Sequence, residues 1–247
     1  MIGFVIIVTA LLIFSCDNRN QNSPKLSADK STVRLIIRAT IADKDLVYGS
    51  VYRTSTSRAF TITDFRYYLS KVVAIREDGS PVPARCSVLL VDPGCRNYDL
   101  GYLPAGSYKG LRFIVGLDSA VNHGDPTVFE AGNPLAIQTP SMHWDWNSGY
   151  LFMKIEGKVD TTRRGSAAPT TEFFYHIGMD RMKRAIELPV KFSVGKSSGT
   201  TIPIKFDVAA MLGCVDLQSE ISTHSFDNLP LATRIADRWQ SSFSVDQ

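Results

Sequence analysis

The sequence is poor in the signatures on which enzyme chemistry is built. It has no H-E-x-x-H, no G-x-x-x-x-G-K-S/T, no glycine-rich dinucleotide fingerprint and no serine elbow set between a strand and a helix. Metalloprotease, phosphate-loop, Rossmann and α/β-hydrolase readings therefore lose their motif support. The acids Asp92, Asp118, Asp125 and Asp145 are scattered, and no paired-carboxylate mechanism is legible in them, so we expect no catalytic turnover. Lys and Arg total 27 against 24 Asp and Glu, a net charge of +3 spread without clusters, which leaves no electrostatic footprint for nucleic acid. Cysteine is scarce, four residues with no C-x-x-C spacing, so no thiolate zinc site is indicated. No apolar run reaches the about 20 residues that a membrane-spanning helix needs.

What is present begins with MIGFVIIVTALLIFS, an apolar stretch of signal-peptide length that lacks a basic n-region. Ile13, Phe14, Ser15 and Cys16 look like a bacterial lipobox, in which the cysteine becomes the acylated N-terminus after cleavage. The expected organisation is a signal peptide over residues 1–15, a polar tether over 16–32 and one domain over 33–247. Cys16 would be the lipid anchor that holds the protein to a membrane of the bacterial cell envelope, on the periplasmic side or at the outer-membrane surface. Such a compartment permits disulfides. Cys86 and Cys95 flank SVLLVDPG, a short strand and a Pro-Gly turn, and could close a small loop; Cys214 would then be unpaired and buried.

Beyond the tether the apolar residues alternate. Val33, Leu35 and Ile37 share one face of STVRLIIRATIA, and Ile202, Ile204, Phe206 and Val208 share one face of TTIPIKFDV, the period of half-buried strands. FRYYLSKVVAI, KGLRFIVGL, YLFMKIEG, EFFYHIGM and AIELPVKFSV read the same way, divided by turn sequences such as EDGSP, LPAGSY, RRGSAAP and GKSSGT. Many short strands of this kind imply an all-β fold, an antiparallel β-sandwich of immunoglobulin-like type. Helix is expected only late. Asp207 caps a short VAAML turn stopped by Gly213, and NLPLATRIADRWQSSF sets Leu231, Ile235 and Trp239 four apart on one face.

Chemistry concentrates in SMHWDWNSGYLFMKIEG, which holds His143, Trp144 and Trp146, two of the three tryptophans in the chain. In an extended strand the tryptophans share one face and His143 and Asp145 the other. His123 lies in the loop-like VNHGDP, His176 alternates away from Phe173, Tyr175 and Ile177, and His224 precedes the last helix in STHSF. Imidazoles without a thiolate pair suit copper bound through nitrogen, with Met142, Met153, Met179 and Met182 as candidate thioethers.

FTITDFRYYLSKVVAIREDGS, KGLRFIVGLDSAVNHGDPT, SMHWDWNSGYLFMKIEG, FFYHIGM and LATRIADRWQSSFSV occur in this order, and together they resemble the MbnP-like copper-binding proteins over roughly the whole chain after the tether. The resemblance implies a periplasmic or surface β-sandwich, often lipid-anchored, that binds copper through histidines. It implies His176, His123, His224 and His143 as metal ligands, His143 at a position commonly aromatic in that family. It also implies that Trp144 or Trp146 is oxidised to kynurenine by a partner dihaem enzyme similar to a cytochrome c peroxidase. An indole N–H donates only and has no basic lone pair for a metal, whereas the ring-opened product carries an arylamine and a ketone. The competing expectation is a surface sugar- or ligand-binding module that uses Trp144, Trp146 and Tyr150 as a stacking platform.

Overall fold

The computed structural model describes residues 30–86, 88–144, 149–165, 167–196 and 199–246. The expectations placed on the signal peptide, Cys16, the tether before Lys30, and Trp146 lie outside them. Among the described residues fifteen strands are formed: β1 Lys30–Ile41, β2 Lys44–Asp45, β3 Tyr52–Arg53, β4 Ala59–Arg76, β5 Pro81–Pro83, β6 Val88–Val91, β7 Asn97–Pro104, β8 Gly106–Val115, β9 Leu151–Val159, β10 Thr171–Gly178, β11 Arg184–Leu188, β12 Phe192–Val194, β13 Thr200–Asp207, β14 Ser222–Thr223 and β15 Phe243–Val245. Helices are α1 Ser119–Asn122, α2 Val208–Leu212 and α3 Leu229–Ser242. Among the described residues no helix is long and apolar enough to cross a membrane.

The strands make two sheets. One runs β15-β13-β1-β2, with β7 also on β1; the other runs β11-β8-β4-β9-β10-β14, with β12 on β8 and with β3, β5 and β6 on β4. This is the expected all-β sandwich with a short C-terminal helix. Its pairing differs from expectation in one respect, because β1 runs parallel to β13 and β10 parallel to β14. Alternation in a sequence reports which face a side chain takes and is silent on strand direction. The literal G-x-S-x-G match at 195–199, whose residues 197 and 198 lie outside the described ones, falls between the two strands β12 and β13 and not between a strand and a helix.

Each sheet contributes one apolar face to a common core. Leu35 and Ile37 of β1 lie in register with Ile202 and Ile204 of β13, all buried. Across the sandwich the Phe65 and Tyr67 rings of β4 stand 5.1 and 5.4 Å from Phe206, and Phe113 of β8 stands 5.0 Å from Phe243, the tilted and edge-on contacts aromatic rings prefer. Strand β4 lies between β9 and β8, and it is interrupted. Its register with β8 shifts between Ser70 and Val73, where Lys71 has φ 50°, the mark of a bulge that bends a long strand. Asp207 accepts from the Ala209 and Ala210 amides to start α2, and Asn228 accepts from Leu231 N to start α3. Leu231, Ala232, Ile235, Ala236 and Trp239 then face the core.

The Cys86–Cys95 bridge is not made. Both are free thiols at opposite ends of β6, and an extended strand of about 3.3 Å per residue keeps its ends apart. Cys214 is free and only half-buried, with its thiol donating to the Met211 carbonyl at 3.3 Å; burial pushes its pKa up and the thiol stays protonated.

One glycine tests the register directly. A Cβ on Gly157 of β9 would run into the Thr61 carbonyl of β4 and the Phe173 ring of β10. Gly157→Ala is expected to cost about 2 kcal/mol and to lower Tm by about 4–8 °C. Gly199→Ala, whose Cβ meets nothing within 4 Å, should change Tm little; equal shifts in thermal denaturation would overturn this account.

Candidate metal centre

Antiparallel pairing of β4, β9 and β10 writes two rows of largely polar residues across the second sheet. Arg66, Lys154 and His176 stand opposite one another in one row, and Asp64, Glu156 and Phe174 in the next. Diagonal neighbours complete the contacts. Arg66 Nε donates to Asp64 Oδ1 at 2.8 Å, Lys154 Nζ lies 3.3 Å from Asp64 Oδ2 and 3.1 Å from Glu156 Oε1, and His176 Nε2 meets the same Glu156 oxygen at 2.8 Å.

The second histidine arrives through the parallel pair at the sheet edge. Phe174 is in register with Ser222 and Tyr175 with Thr223, and one further step of that register reaches His176 and His224. Their ring centroids are 5.3 Å apart at 75°, and Phe174 lies 5.0 and 4.8 Å from the two imidazoles. Asp227 holds the turn, accepting from Thr223 Oγ1 at 2.7 Å and His224 N at 2.8 Å, with Oδ2 3.4 Å from His224 Nδ1. Ser225 follows at φ 71°, with Phe226 N donating to the His224 carbonyl. That is a γ-turn of the rarer, strained sense. Ser225 Oγ repays it by accepting from Gly178 N at 3.0 Å and donating to the His176 carbonyl at 2.9 Å.

Electrostatics fix the orientation of both rings. The hydrogen bond from His176, working against burial and assisted by Lys154, lowers the Glu156 carboxyl from its usual 4.5 to about 2. At Asp227 burial alone would raise the pKa, and the hydrogen bonds from Thr223 and His224 outweigh it, so the value is lowered. Ionised carboxylates only accept. The proton of each ring therefore sits on the nitrogen that faces the acid, Nε2 of His176 and Nδ1 of His224, and the basic nitrogens are His176 Nδ1 and His224 Nε2. A carboxylate behind an imidazole is the arrangement that orients metal-binding histidines and fixes their tautomer.

The other expected site residues lie elsewhere. His123 Nε2 is 3.4 Å from Asp180 Oδ2, beside a cleft of about 360 Å³ lined by Asn122, His123, Trp144, Gly149, Met179, Asp180 and Arg181. Burial opposes ionisation of Asp180, but the hydrogen bonds from Ser119, Asn122 and His123 prevail and lower its pKa. Asn122 is buried and ties the Tyr150 amide to Asp180. His143 accepts from the Gly149 amide at Nε2, 3.3 Å away, and stands edge-on to Tyr150 at 4.9 Å; that nitrogen is occupied by a backbone donor. Trp144 is 6% exposed, and its six-membered ring lies where a Cβ on Gly178 would be. The cleft and the histidine pair thus share the end of β10. Met142, Met153 and Met182 are core residues, while Met179, at φ 77°, lines the cleft.

Among the described residues no three His, Cys, Asp or Glu side chains converge as a ligand set. The donor set is two imidazoles, too few by themselves for the four-coordinate shell of a structural zinc site and of a ligand type that suits copper among the borderline transition metals. Sequence reading passes over Glu156, Asp227, Lys154 and Asp64. The signal available for the first and third was the K-x-E alternation inside YLFMKIEG, which sets a charge pair on one face of a strand.

A β-sandwich with a carboxylate-backed histidine pair at its edge defines the class. The MbnP family model matches residues 30–227, and the chain belongs to that family. Among solved structures it is similar to MbnP from Methylosinus trichosporium, at 17% identity and a TM-score of 0.58 over 79% of this chain and 83% of that one, a likeness of fold. No curated protein matches it at a significant level.

Because the Glu156 carboxyl is harder to protonate in the folded chain, its stabilisation is complete above about pH 4.5 and is lost as the pH falls toward about 2. With Glu156 33% exposed, Glu156→Gln is expected to cost about 1 kcal/mol at pH 7 after solvent screening. In urea denaturation the difference from wild type should close as the pH drops through that window; a difference independent of pH would refute the pairing.

Proposed function

We propose that the protein binds copper as cargo at His176 and His224 and serves in copper acquisition, storage or delivery at the bacterial cell envelope, without catalytic turnover. One observation carries this reading: two imidazoles stand edge to face 5.3 Å apart, each with a carboxylate on one ring nitrogen. Membership of the MbnP family supports it. His176 would offer Nδ1 and His224 Nε2, and copper tolerates the low coordination number that two nitrogens supply. Glu156 and Asp227 would hold the rings in place and offset part of the charge of the ion.

Trp144 is the described residue that would become a further ligand on oxidation. Conversion to kynurenine removes one carbon and adds one oxygen, a gain of about 4 Da, and the oxidant would come from a partner dihaem enzyme of cytochrome c peroxidase type. Attachment through an acylated Cys16 would keep the protein at the membrane. The alternative, a sugar- or ligand-stacking module, needs exposed rings, and Trp144 and Tyr150 are only 6% and 1% exposed.

Copper titration of the purified protein, with competition by a chromophoric chelator, tests the reading. Wild type should take up copper, His176→Ala and His224→Ala should each weaken binding by about 100-fold or more, and His143→Ala should leave it within about twofold. Binding that survives loss of both His176 and His224 would move the site to the His123 cleft, and wild-type protein that binds no copper would end the proposal. Intact mass on natively expressed protein separates a modified Trp144 from a site of imidazoles alone.

A further inference from the structure

Lysine is among the residues least often buried in a protein, yet the Lys154 side chain is 7% exposed in the middle of β9. Its cross-strand neighbours are Arg66 on β4 and His176 on β10, and its ammonium lies 3.3 Å from Asp64 Oδ2 and 3.1 Å from Glu156 Oε1. Arg66, Asp64, Lys154, Glu156 and His176 therefore form one line of alternating charge that ends on an imidazole. An ion pair made only for stability would do better as apolar packing, since desolvating both charges offsets most of their attraction. Asp64 already has Arg66 as a partner, so neutralising it does not require Lys154.

We propose that Lys154 is a specificity-determining residue of the copper site, a fixed positive charge that biases the His176–His224 pair toward monovalent over divalent copper. This rests on the reading of that pair as a copper site. Lys154 acts through Glu156, whose oxygen it shares with His176. Three carboxylates, Asp64, Glu156 and Asp227, gather around the pair, and two cations, Lys154 and Arg66, oppose them. Removing Lys154 leaves three negative groups against one positive. A divalent ion carries one more unit of charge than a monovalent one and gains more from that change, by an amount that low local dielectric enlarges. Lys154 is thus the residue whose charge makes the second positive charge on the metal unwelcome, and among the described residues no third His, Cys, Asp or Glu converges on the pair to offset it.

The test measures affinities for Cu(I), held reduced under anaerobic conditions, and for Cu(II) in air, each by chelator competition, in wild type, Lys154→Met and Lys154→Arg. Lys154→Met should shift the ratio of the two affinities toward Cu(II) by about tenfold or more, and Lys154→Arg should keep the wild-type ratio. A ratio unchanged within about twofold in Lys154→Met, with wild type still binding copper, overturns the inference and leaves the copper reading standing. Wild type that binds neither ion overturns both. Should Lys154→Met fail to fold, Asp64→Asn takes its place, because removing a carboxylate from the same line must move the ratio the opposite way, toward Cu(I).

Discussion

Everything distinctive in this molecule depends on the register between β4, β9 and β10. Phe65 faces Ile155 and Arg66 faces Lys154; Tyr175 faces Ile155 and His176 faces Lys154. One row of each pair belongs to the core and the next to the polar face. A slip of one residue would exchange them, burying Arg66 and Glu156 in the sandwich and exposing Phe65 and Ile155, because side chains alternate with a period of two. Hydrophobic burial of the first set therefore fixes the second as well. The buried lysine and the carboxylate-bound histidine need no independent device to bring them together; the core does it, and Gly157 permits β4 and β10 to close on β9 at that point.

What the core does not supply is the second histidine. His224 reaches the site on two residues of parallel strand and a three-residue turn, and the turn requires Ser225 to adopt φ 71°. A side chain in that region costs of order 1 kcal/mol or more and persists only where the surroundings enforce it. Here Thr223 Oγ1, Asp227 and the Ser225 hydroxyl provide the enforcement through hydrogen bonds to the turn and to β10. Met179, at φ 77° just beyond the end of the same strand, is strained in the same sense. Strain thus gathers where β10 ends, between the histidine pair and the Trp144 cleft.

Most of the sandwich was legible in the sequence because its strands announce themselves by alternation and its two later helices by caps. TTIPIKFDV, YLFMKIEG and NLPLATRIADRWQSSF became β13, β9 and α3 with bounds close to those expected. The rest was hidden for identifiable reasons. Strands of two or three residues, such as β2, β3 and β14, have no room for a period. Parallel pairing of β1 with β13 joins segments from opposite ends of the domain, and no local pattern encodes a partner. The histidines could be named but not grouped, since His176 and His224 meet only through the β10–β14 register. SMHWDWNSGY was expected as strand with a bulge or turn at its end; of its described residues, His143 bridges Tyr150 and Trp144 turns inward onto Gly178.

The same geometry explains why the pair and the cleft are coupled in structure. Ser225 Oγ bonds Gly178 N and the His176 carbonyl at once, and Gly178 has no side chain because the Trp144 ring occupies that space. Any change in the size or polarity of Trp144 presses on Gly178, and Gly178 cannot move without loosening the bonds that hold His176 and the His224 turn. An indole there is a packing element that sets the position of two imidazoles.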